Sequence, residues 1–413
     1  MAAGFLNVAC FSIAAVECGI ITHVNNDGKA SLNETPSGSR VKIAFFGLRN
    51  AGKSTLVNAF CGQDVAIVSD VPGTTTDPVS KAMEILPLGP CVVTDTAGLD
   101  DVGALGAERV RRTLSVLATA DIAVWVEAEP ADEEGSRLRA GFMEECRRRS
   151  VPVIEYRRGD SVEALREKVA AVKVEPEPAV LDGLVGPGDR VICVCPIDES
   201  APKGRLILPQ VQVLRDCLDR RATCTVCQPG DLPACLAERS PGVSRPVLVI
   251  TDSQAFADVR SAVDSFRSSL PPDAPGVRLT SFSVLFARQK GDLAAYVRGL
   301  GAISSLKDGD VVLVAEGCTH RRQCNDIGTV KIPKALRKIS GRELSFSFSS
   351  GGTFAVPEGG AKPALVVHCG GCMLTRREVR RRIALAEEAG VPIVNYGLLL
   401  AVASGLGIDE VMP

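Results

Sequence analysis

Aromatic residues, histidine and excess charge are all scarce in this 413-residue sequence. Aromatic side chains form only 4% of the chain, so a surface of stacked aromatics that binds single-stranded bases is not expected. The formal net charge of −2 argues against bulk attraction to nucleic acid or to an anionic membrane. Hydrophobic residues form 46% and charged residues 23% of the chain, as is typical of folded globular proteins. The length favours two or three domains.

Long apolar runs are lacking after the first residues. Positions 5–24 are fairly apolar, but they contain Glu17 and lack a basic leader and a clear cleavage site, which makes them a poor secretory signal. Positions 25–40 are polar and rich in turn-forming residues. We therefore interpret residues 1–37 as an N-terminal extension and linker. No later window has the length and apolarity of a membrane span, which predicts that no membrane is involved.

Cysteine, in contrast, is abundant. The 15 cysteines are odd in number and uneven in spacing, which argues against a disulfide scaffold and favours a reducing compartment. Some of these thiols are then free to bind metal. Two of the only three histidines, His320 and His368, lie beside cysteines.

Short apolar runs alternate with helical patterns along the chain, and this alternation predicts an α/β architecture with parallel sheets. Linkers rich in charged residues, proline and glycine occur at 174–189 and 268–276. We therefore predict three α/β domains in series. The first spans 38–173, and two smaller domains span 189–266 and 275–413.

A phosphate-binding loop follows the first predicted strand, the short apolar run VKIAFFG at 41–47. GLRNAGKS at 47–54 matches G-x-x-x-x-G-K-[ST] without a mismatch and precedes an amphipathic helix, whose N-terminus attracts phosphate. Lys53 is expected to contact the β- and γ-phosphates, and the Ser54 hydroxyl is expected to bind Mg²⁺. The predicted nucleotide-binding residues of this loop are Gly47, Asn50, Ala51, Gly52, Lys53, Ser54 and Thr55.

Two later segments occur in the order expected of a GTPase. DTAG at 95–98 ends an apolar strand, so Asp95 is expected in the Mg²⁺ shell and the Gly98 amide near the γ-phosphate. The predicted catalytic residues are therefore Lys53, Ser54 and Asp95. PGTTTD at 72–77 lies where a first switch loop belongs, and it supplies three candidate threonines, Thr74, Thr75 and Thr76. Thr75 is the one assigned to magnesium.

The segments GLRNAGKST, GTTTD and DTAG resemble the Era- and TrmE-like GTPases. In that family an asparagine at the place of Asn50 accompanies activation by K⁺. The guanine-reading N-K-x-D motif should follow the strand VPVIEY, where this sequence has Arg157-Arg158-Gly159-Asp160. Asp160 is retained as the candidate that accepts hydrogen bonds from guanine, while the replaced asparagine and lysine leave the selectivity for guanine open.

A cysteine–histidine constellation occupies the last domain. Cys318-Thr319-His320 follows the strand VVLVAEG, and His368-Cys369-Gly370-Gly371-Cys372 follows the strand ALVVHCG. The carboxyl ends of strands in an open α/β sheet line one crevice, so the two segments are expected to converge. Three thiolates favour a [4Fe–4S] cluster, a Cys₃His zinc site is the alternative, and buried structural thiols are the third interpretation.

C-x-H, 47 intervening residues and H-C-x-x-C behind an Era-like GTPase domain resemble the [FeFe]-hydrogenase maturation GTPases, the hydrogenase maturation factor F family. Further similar stretches include SDVPGTTTDPVSKAMEI at 69–85, DESAPKGRLILPQ at 198–210 and CNDIGTVKIP at 324–333. The similarity begins near residue 31 and continues to the end of the sequence.

The resemblance implies a P-loop GTPase domain, a dimerisation domain and an iron–sulfur cluster-binding domain in a homodimer. It implies GTP and Mg²⁺ as cofactors and a scaffold that receives a di-iron precursor from two radical-SAM maturases and delivers it to apo-[FeFe]-hydrogenase. The implied location is the cytoplasm, or the plastid stroma for an algal source. The implied cluster residues are Cys318, Cys369, Cys372 and the motif histidines His320 and His368, with Glu316 as another candidate fourth ligand.

The competing hypothesis is an Era-like GTPase that acts in RNA modification or ribosome assembly and carries a structural zinc site. It would require an RNA-reading element, and the last domain shows no basic GXXG-type module, so no nucleic-acid partner is predicted. Two other patterns are discounted. TCTVC at 223–227 is predicted to be a strand with its two thiols on opposite faces, and the basic run RREVRRR at 376–382 is predicted to be a solvated helix face.

Overall fold

The computed structural model describes residues 37–62, 79–100, 103–127, 132–174, 177–197, 206–238, 246–271, 276–317, 326–351, 354–357 and 362–413. Within these residues the chain forms three sheets, each flanked by helices. No described helix is long and apolar enough to cross a membrane.

The first sheet has the strand order β2-β3-β1-β4-β5, in which only the β2–β3 pair is antiparallel. Its strands are β1 (Val41–Gly47), β2 (Val79–Ile85), β3 (Gly89–Asp95), β4 (Ile122–Val126) and β5 (Val153–Tyr156). Its helices are α1 (Lys53–Cys61), α2 (Gly103–Leu117), α3 (Glu133–Arg148) and α4 (Val162–Ala170). Apolar side chains on both faces, including Phe45 against Phe60 and Trp125 against Phe142, give this domain a core on each side.

The second sheet is parallel with the order β7-β6-β8-β9. Its strands are β6 (Arg190–Val194), β7 (Thr223–Cys227), β8 (Pro246–Thr251) and β9 (Arg278–Ser281), and its helices are α5 (Leu208–Asp219), α6 (Leu232–Ala237), α7 (Phe256–Ser268) and α8 (Phe282–Lys290). The predicted boundary assigns 278–281 to the third domain, whereas β9 pairs with β8 in the second sheet.

The third sheet is also parallel, with the order β11-β10-β12-β13. Its strands are β10 (Val311–Glu316), β11 (Ser345–Ser350), β12 (Leu365–His368) and β13 (Ile393–Asn395). Its helices are α9 (Leu293–Ala302), α10 (Ile332–Ser340), α11 (Arg376–Glu388), α12 (Tyr396–Ala403) and α13 (Ile408–Val411). One hydrophobic core contains buried residues of both the second and the third sheet, among them Val249 and Val366, so these two domains pack as one body.

TCTVC is the strand β7, and its thiols lie on opposite faces as predicted. Cys224 lies with its sulfur 3.5 Å from that of Cys193, while Cys227 packs into the core on the other side of the sheet. The contact with Cys193 raises the pKa of the Cys224 thiol to about 12, so this thiol is protonated at neutral pH. Cys224 and Cys227 therefore face different cores and do not converge on one site.

Candidate functional site

The phosphate-binding loop turns between β1 and α1. Gly52 caps the helix with φ +88°, a left-handed conformation that a side chain would strain, and Asn50 adopts φ +60°. Lys53 is nearly buried, and its Nζ donates to the carbonyls of Leu48 at 2.7 Å and of Gly47 at 3.3 Å. The lysine thus lies across the loop where the sequence motif places the phosphates.

Ser54 and Asp95, which are both predicted to lie at magnesium, contact each other directly. The Ser54 hydroxyl donates to Asp95 Oδ2 at 2.6 Å, and the other oxygen, Oδ1, is buried without a hydrogen-bond partner among the described residues. Burial raises the pKa of Asp95, while the Ser54 hydrogen bond and the charge of Lys53 oppose this rise. An unpartnered carboxylate oxygen beside a hydroxyl is a donor set that suits Mg²⁺, which prefers oxygen ligands.

The DTAG segment is joined to the phosphate-binding loop by backbone contacts. The Leu99 amide donates to the Gly47 carbonyl at 3.3 Å, and the Arg49 amide donates to the Asp100 carboxylate at 2.5 Å. Gly98 therefore lies against the phosphate-binding loop, and the contact of its amide with the γ-phosphate stays a prediction. The role of Asp100 was not evident from the sequence, since a carboxylate one residue beyond the motif has no distinguishing signal. Thr74, Thr75 and Thr76 lie outside the described residues, and Thr55 is exposed.

The RRGD segment forms a turn after β5. The Asp160 carboxylate accepts from the Arg157 amide at 2.9 Å, and the Asp160 carbonyl accepts from the Tyr156 hydroxyl at 3.0 Å. Asp160 is exposed, and the strand before it, β5, ends at the same carboxyl-terminal edge of the sheet as β1, which leads into the phosphate-binding loop. A carboxylate at this edge is an acceptor of the kind that the N–H groups of guanine require. Asp160 therefore stays the candidate for base recognition.

Replacing Asp160 with asparagine is expected to weaken GTP binding by roughly 10- to 100-fold, because an amide donor would face the guanine donors in place of a charged acceptor. The asparagine oxygen can still accept from Arg157, so the turn should persist. Competition binding with a fluorescent guanine nucleotide measures the effect. Glu163→Gln alters an exposed carboxylate three residues away and should bind GTP as the wild type does; equal affinity in D160N would contradict the assignment.

The two cysteine segments follow neighbouring parallel strands. In the β10–β12 pair Ala315 lies opposite His368, and the Gly317 amide donates to the Cys369 sulfur at 3.2 Å. Cys318 and His320 lie outside the described residues, but Gly317 immediately precedes Cys318 in the chain. The chain therefore enters the C-x-H segment beside Cys369, which supports the predicted convergence.

The two described motif thiols are partly buried and close enough to influence each other. Burial raises the pKa of Cys369, while the Gly317 and Gly371 amides oppose the rise. Burial and the neighbouring Cys369 raise the pKa of Cys372 to about 11, while the charge of Lys290 opposes this. Without metal both thiols are protonated, so metal binding would release protons. No group of three cysteine, histidine or carboxylate side chains suited to a metal ion occurs within the described part of the chain, which lacks Cys318 and His320.

His368 is fully buried, and both of its ring nitrogens contact protein groups. Nδ1 donates to the Cys369 carbonyl at 2.7 Å, and Nε2 lies 3.5 Å from an Arg382 nitrogen and accepts from it. Burial, followed by the charge of Arg382, lowers the pKa of His368 to about 4, so the ring is neutral at pH 7. Glu316, the other candidate ligand, is buried at the end of β10 and accepts from the Tyr396 hydroxyl at 3.4 Å.

The basic run on α11 is not a uniformly solvated face, which corrects the prediction. Arg382 is fully buried and bonded to Glu378 at 2.7 Å, and Arg377 donates to the Arg149 carbonyl of the first domain at 3.0 Å, whereas Arg380 is exposed. Hydrogen bonds from the arginines hold the pKa of Glu378 below its ordinary value despite its burial. Arg382 can be buried because its charge is paired with the buried Glu378 carboxylate, which accepts its hydrogen bond.

Arg382→Ala is expected to lower the free energy of unfolding by about 3–5 kcal/mol, because it leaves the buried Glu378 carboxylate without one of its two arginines. Arg380→Ala, two residues away on the exposed face, should change it by less than about 0.5 kcal/mol. Chemical denaturation of both variants measures the difference. Equal stability of the two variants would show that the buried pair is unimportant.

Comparison with known sequences gives three matches to family models. The hydrogen maturase F dimerization domain matches residues 180–291, and the hydrogen maturase F tetramerization domain matches residues 294–412. A model described as a 50S ribosome-binding GTPase matches residues 42–154. The tetramerization model covers the third domain, which also contains the cysteine motifs. This domain is therefore related to one that is named for the formation of tetramers.

Curated relatives match the first domain. The tRNA modification GTPase MnmE of Maricaulis maris is 36% identical over 161 residues, covering 34% of this chain and 36% of the relative. MnmE of Acidiphilium cryptum is 46% identical over 93 residues, covering 22% of this chain and 21% of the relative. The chain therefore spans about a third or less of the length of these relatives.

Among solved structures, a variant of Aquifex aeolicus Era bound to GDP and AlF4⁻ is 17% identical over 75% of this chain and 93% of its own, with a TM-score of 0.25. A variant of NFeoB from S. thermophilus bound to GDP and AlF4⁻ is 21% identical over 32% of this chain and 51% of its own, with a TM-score of 0.24.

The family matches confirm both resemblances stated from the sequence. Two consecutive domains of one family together span more than half of the chain and follow a GTPase domain, and the protein therefore belongs to the hydrogen maturase F family.

Proposed function

We propose that this protein is a GTP-hydrolysing scaffold that holds a [4Fe–4S] cluster on Cys318, Cys369 and Cys372. The scaffold receives a di-iron precursor made with two radical-SAM maturases and delivers it to apo-[FeFe]-hydrogenase. The observation that carries this proposal is the hydrogen bond from the Gly317 amide to the Cys369 sulfur, which brings the start of one cysteine motif against the other. Amide hydrogen bonds to cysteine sulfur are also a means by which proteins tune bound clusters.

Nucleotide hydrolysis in this proposal depends on the phosphate-binding loop. Lys53 exchanges its two carbonyl partners for phosphate oxygens, and the helix N-terminus at Gly52 faces the same negative charge. Ser54 and Asp95 would hold Mg²⁺, which neutralises charge on the β- and γ-phosphates when bound. Asn50, in its left-handed conformation, is the residue proposed to accompany K⁺.

A conformational change that GTP hydrolysis causes in the first domain must be transmitted to the second and third domains through contacts between the domains. Arg377 lies in the first turn of α11, just after the cysteine loop, and its Nε atom is 3.5 Å from the Asp121 carboxylate of the first domain. The Asp121 carboxylate also accepts a hydrogen bond from the Lys42 amide at the start of β1. GTP hydrolysis is therefore proposed to regulate partner contacts by changing the switch conformation. The dimerization and tetramerization domains support assembly into a homo-oligomer, and the proposed location is the cytoplasm or, in an alga, the plastid stroma.

Anaerobic reconstitution with iron and sulfide, followed by EPR of the dithionite-reduced protein, tests the cluster. The proposal predicts an S = ½ signal of the [4Fe–4S]⁺ type. A colourless protein that instead retains stoichiometric zinc after strictly anaerobic purification would contradict it and favour the structural zinc site.

A further inference from the structure

Lys290, the last residue of α8, is completely buried beside the cysteine loop. Its Nζ donates to the Leu374 carbonyl at 2.6 Å and lies 3.4 Å from the Cys372 carbonyl and 3.5 Å from the Gly38 carbonyl. An ammonium group has three N–H donors, so three carbonyls match its full donor set. Burying this group is costly unless its charge is compensated nearby.

The same loop leaves no room for a side chain at Gly38. A Cβ atom on Gly38 would lie 2.7 Å from the Leu374 carbonyl oxygen and 2.9 Å from that of Cys372. Gly38 lies three residues before β1, in the segment that leads into the first domain. Parts of all three domains therefore meet at the backbone of residues 372–374, with the Lys290 ammonium between them.

A cluster on three cysteine thiolates would bring negative charge to this loop. A buried positive charge on the loop carbonyls offsets that charge and favours the more reduced, more negative cluster state. The same hydrogen bonds fix the backbone that carries Cys372. Outer groups that orient metal ligands commonly change metal affinity by 10- to 100-fold when they are removed.

We propose that Lys290 is a positioning residue for the cluster, which holds the Cys372 loop in place and raises the reduction potential of the cluster. This inference rests on the proposed function, since it concerns the same cysteine loop. It assigns a charged residue of the second domain to a site whose ligands all belong to the third.

The test compares Lys290→Met, Lys290→Arg and Lys338→Met after anaerobic reconstitution. Lys338 is the matched control, because it is exposed and donates to a single carbonyl, that of Ala403, in the third domain. An EPR-monitored redox titration gives the reduction potential, and the rate of iron loss to a chelator gives the lability of the cluster. We expect K290M to have a lower potential and roughly tenfold faster iron loss. K290R should keep a potential near that of the wild type, and K338M should match the wild type in both measurements.

Gly38→Ala provides a second variant in case K290M does not fold, which thermal unfolding would reveal. Its added Cβ pushes on the same loop while Lys290 is retained, so we expect faster iron loss with little change in potential. Wild-type potential and iron-loss rate in a folded K290M would overturn the inference on Lys290 alone. If K290M fails to fold, a wild-type rate in G38A would overturn it. A wild-type protein that assembles no cluster would overturn the proposed function itself and, with it, the role of Lys290.

Discussion

Lys53→Met is expected to reduce the rate of GTP hydrolysis by roughly 100- to 1000-fold, the loss that follows removal of one donor from a transition-state site. The Lys53 ammonium lies within the phosphate-binding loop and contacts two of its carbonyls, at the position where the motif places the phosphates. Methionine keeps the length and apolar stem of the side chain and removes the charge. Phosphate release at saturating GTP measures the effect.

Lys168→Met is the control for this prediction, since Lys168 is an exposed lysine on α4 of the same domain. It should hydrolyse GTP at the wild-type rate. A folded K53M with wild-type turnover would mean that the phosphate-binding loop is not where hydrolysis takes place.

Cys369→Ala and Cys372→Ala are each expected to reduce bound iron from one [4Fe–4S] cluster per chain to background. Each variant removes one of three proposed thiolate ligands, and two remaining thiolates cannot hold the cluster stably. The loss is larger than that expected for Lys290 because a ligand is removed rather than a supporting group. Iron and sulfide content with EPR after anaerobic reconstitution measures the outcome.

Cys227→Ala is the matched control, because Cys227 is also a half-buried cysteine that ends a C-x-x-C sequence. It lies on the edge strand β7 of the second sheet and packs against the core that the second and third domains share, and it should leave the cluster intact. A cluster that survives in both C369A and C372A, or that is lost in C227A alone, would move the site away from the C-terminal domain.

The sequence predicts those parts of the fold and site in which local pattern and chemistry agree. The strand at 41–47 has its predicted bounds, since a short apolar run before a glycine loop specifies a buried strand and its end. The adjacency of β10 and β12 likewise follows from the parallel α/β arrangement. The placement of Lys53, Ser54 and Asp95 follows from motifs that have meaning only in this strand–loop–helix context.

Other features depend on long-range packing that no local pattern carries. No sequence pattern predicts the edge strand β2, because Lys81 on its half-buried face and Ala82 on its exposed face break the alternation of apolar and polar residues. Lys290 and Arg382 are charged residues, which composition alone places on the surface, yet both are fully buried. Carbonyls from distant segments surround both of them, and Arg382 also pairs with the Glu378 carboxylate one turn earlier on α11. The short β9 could not be assigned to the second sheet from four residues of mixed polarity.

Hydrogen evolution by apo-[FeFe]-hydrogenase is the most direct test of the central claim that the cysteine loop serves delivery of a precursor. The protein would be purified anaerobically from cells that also express the two radical-SAM maturases and then incubated with the apo-enzyme. The account predicts hydrogen evolution with the wild-type protein and only background evolution with Cys369→Ala. Wild-type protein that carries its [4Fe–4S] cluster but leaves the apo-enzyme inactive would contradict the account, as would activation by C369A equal to that of the wild type.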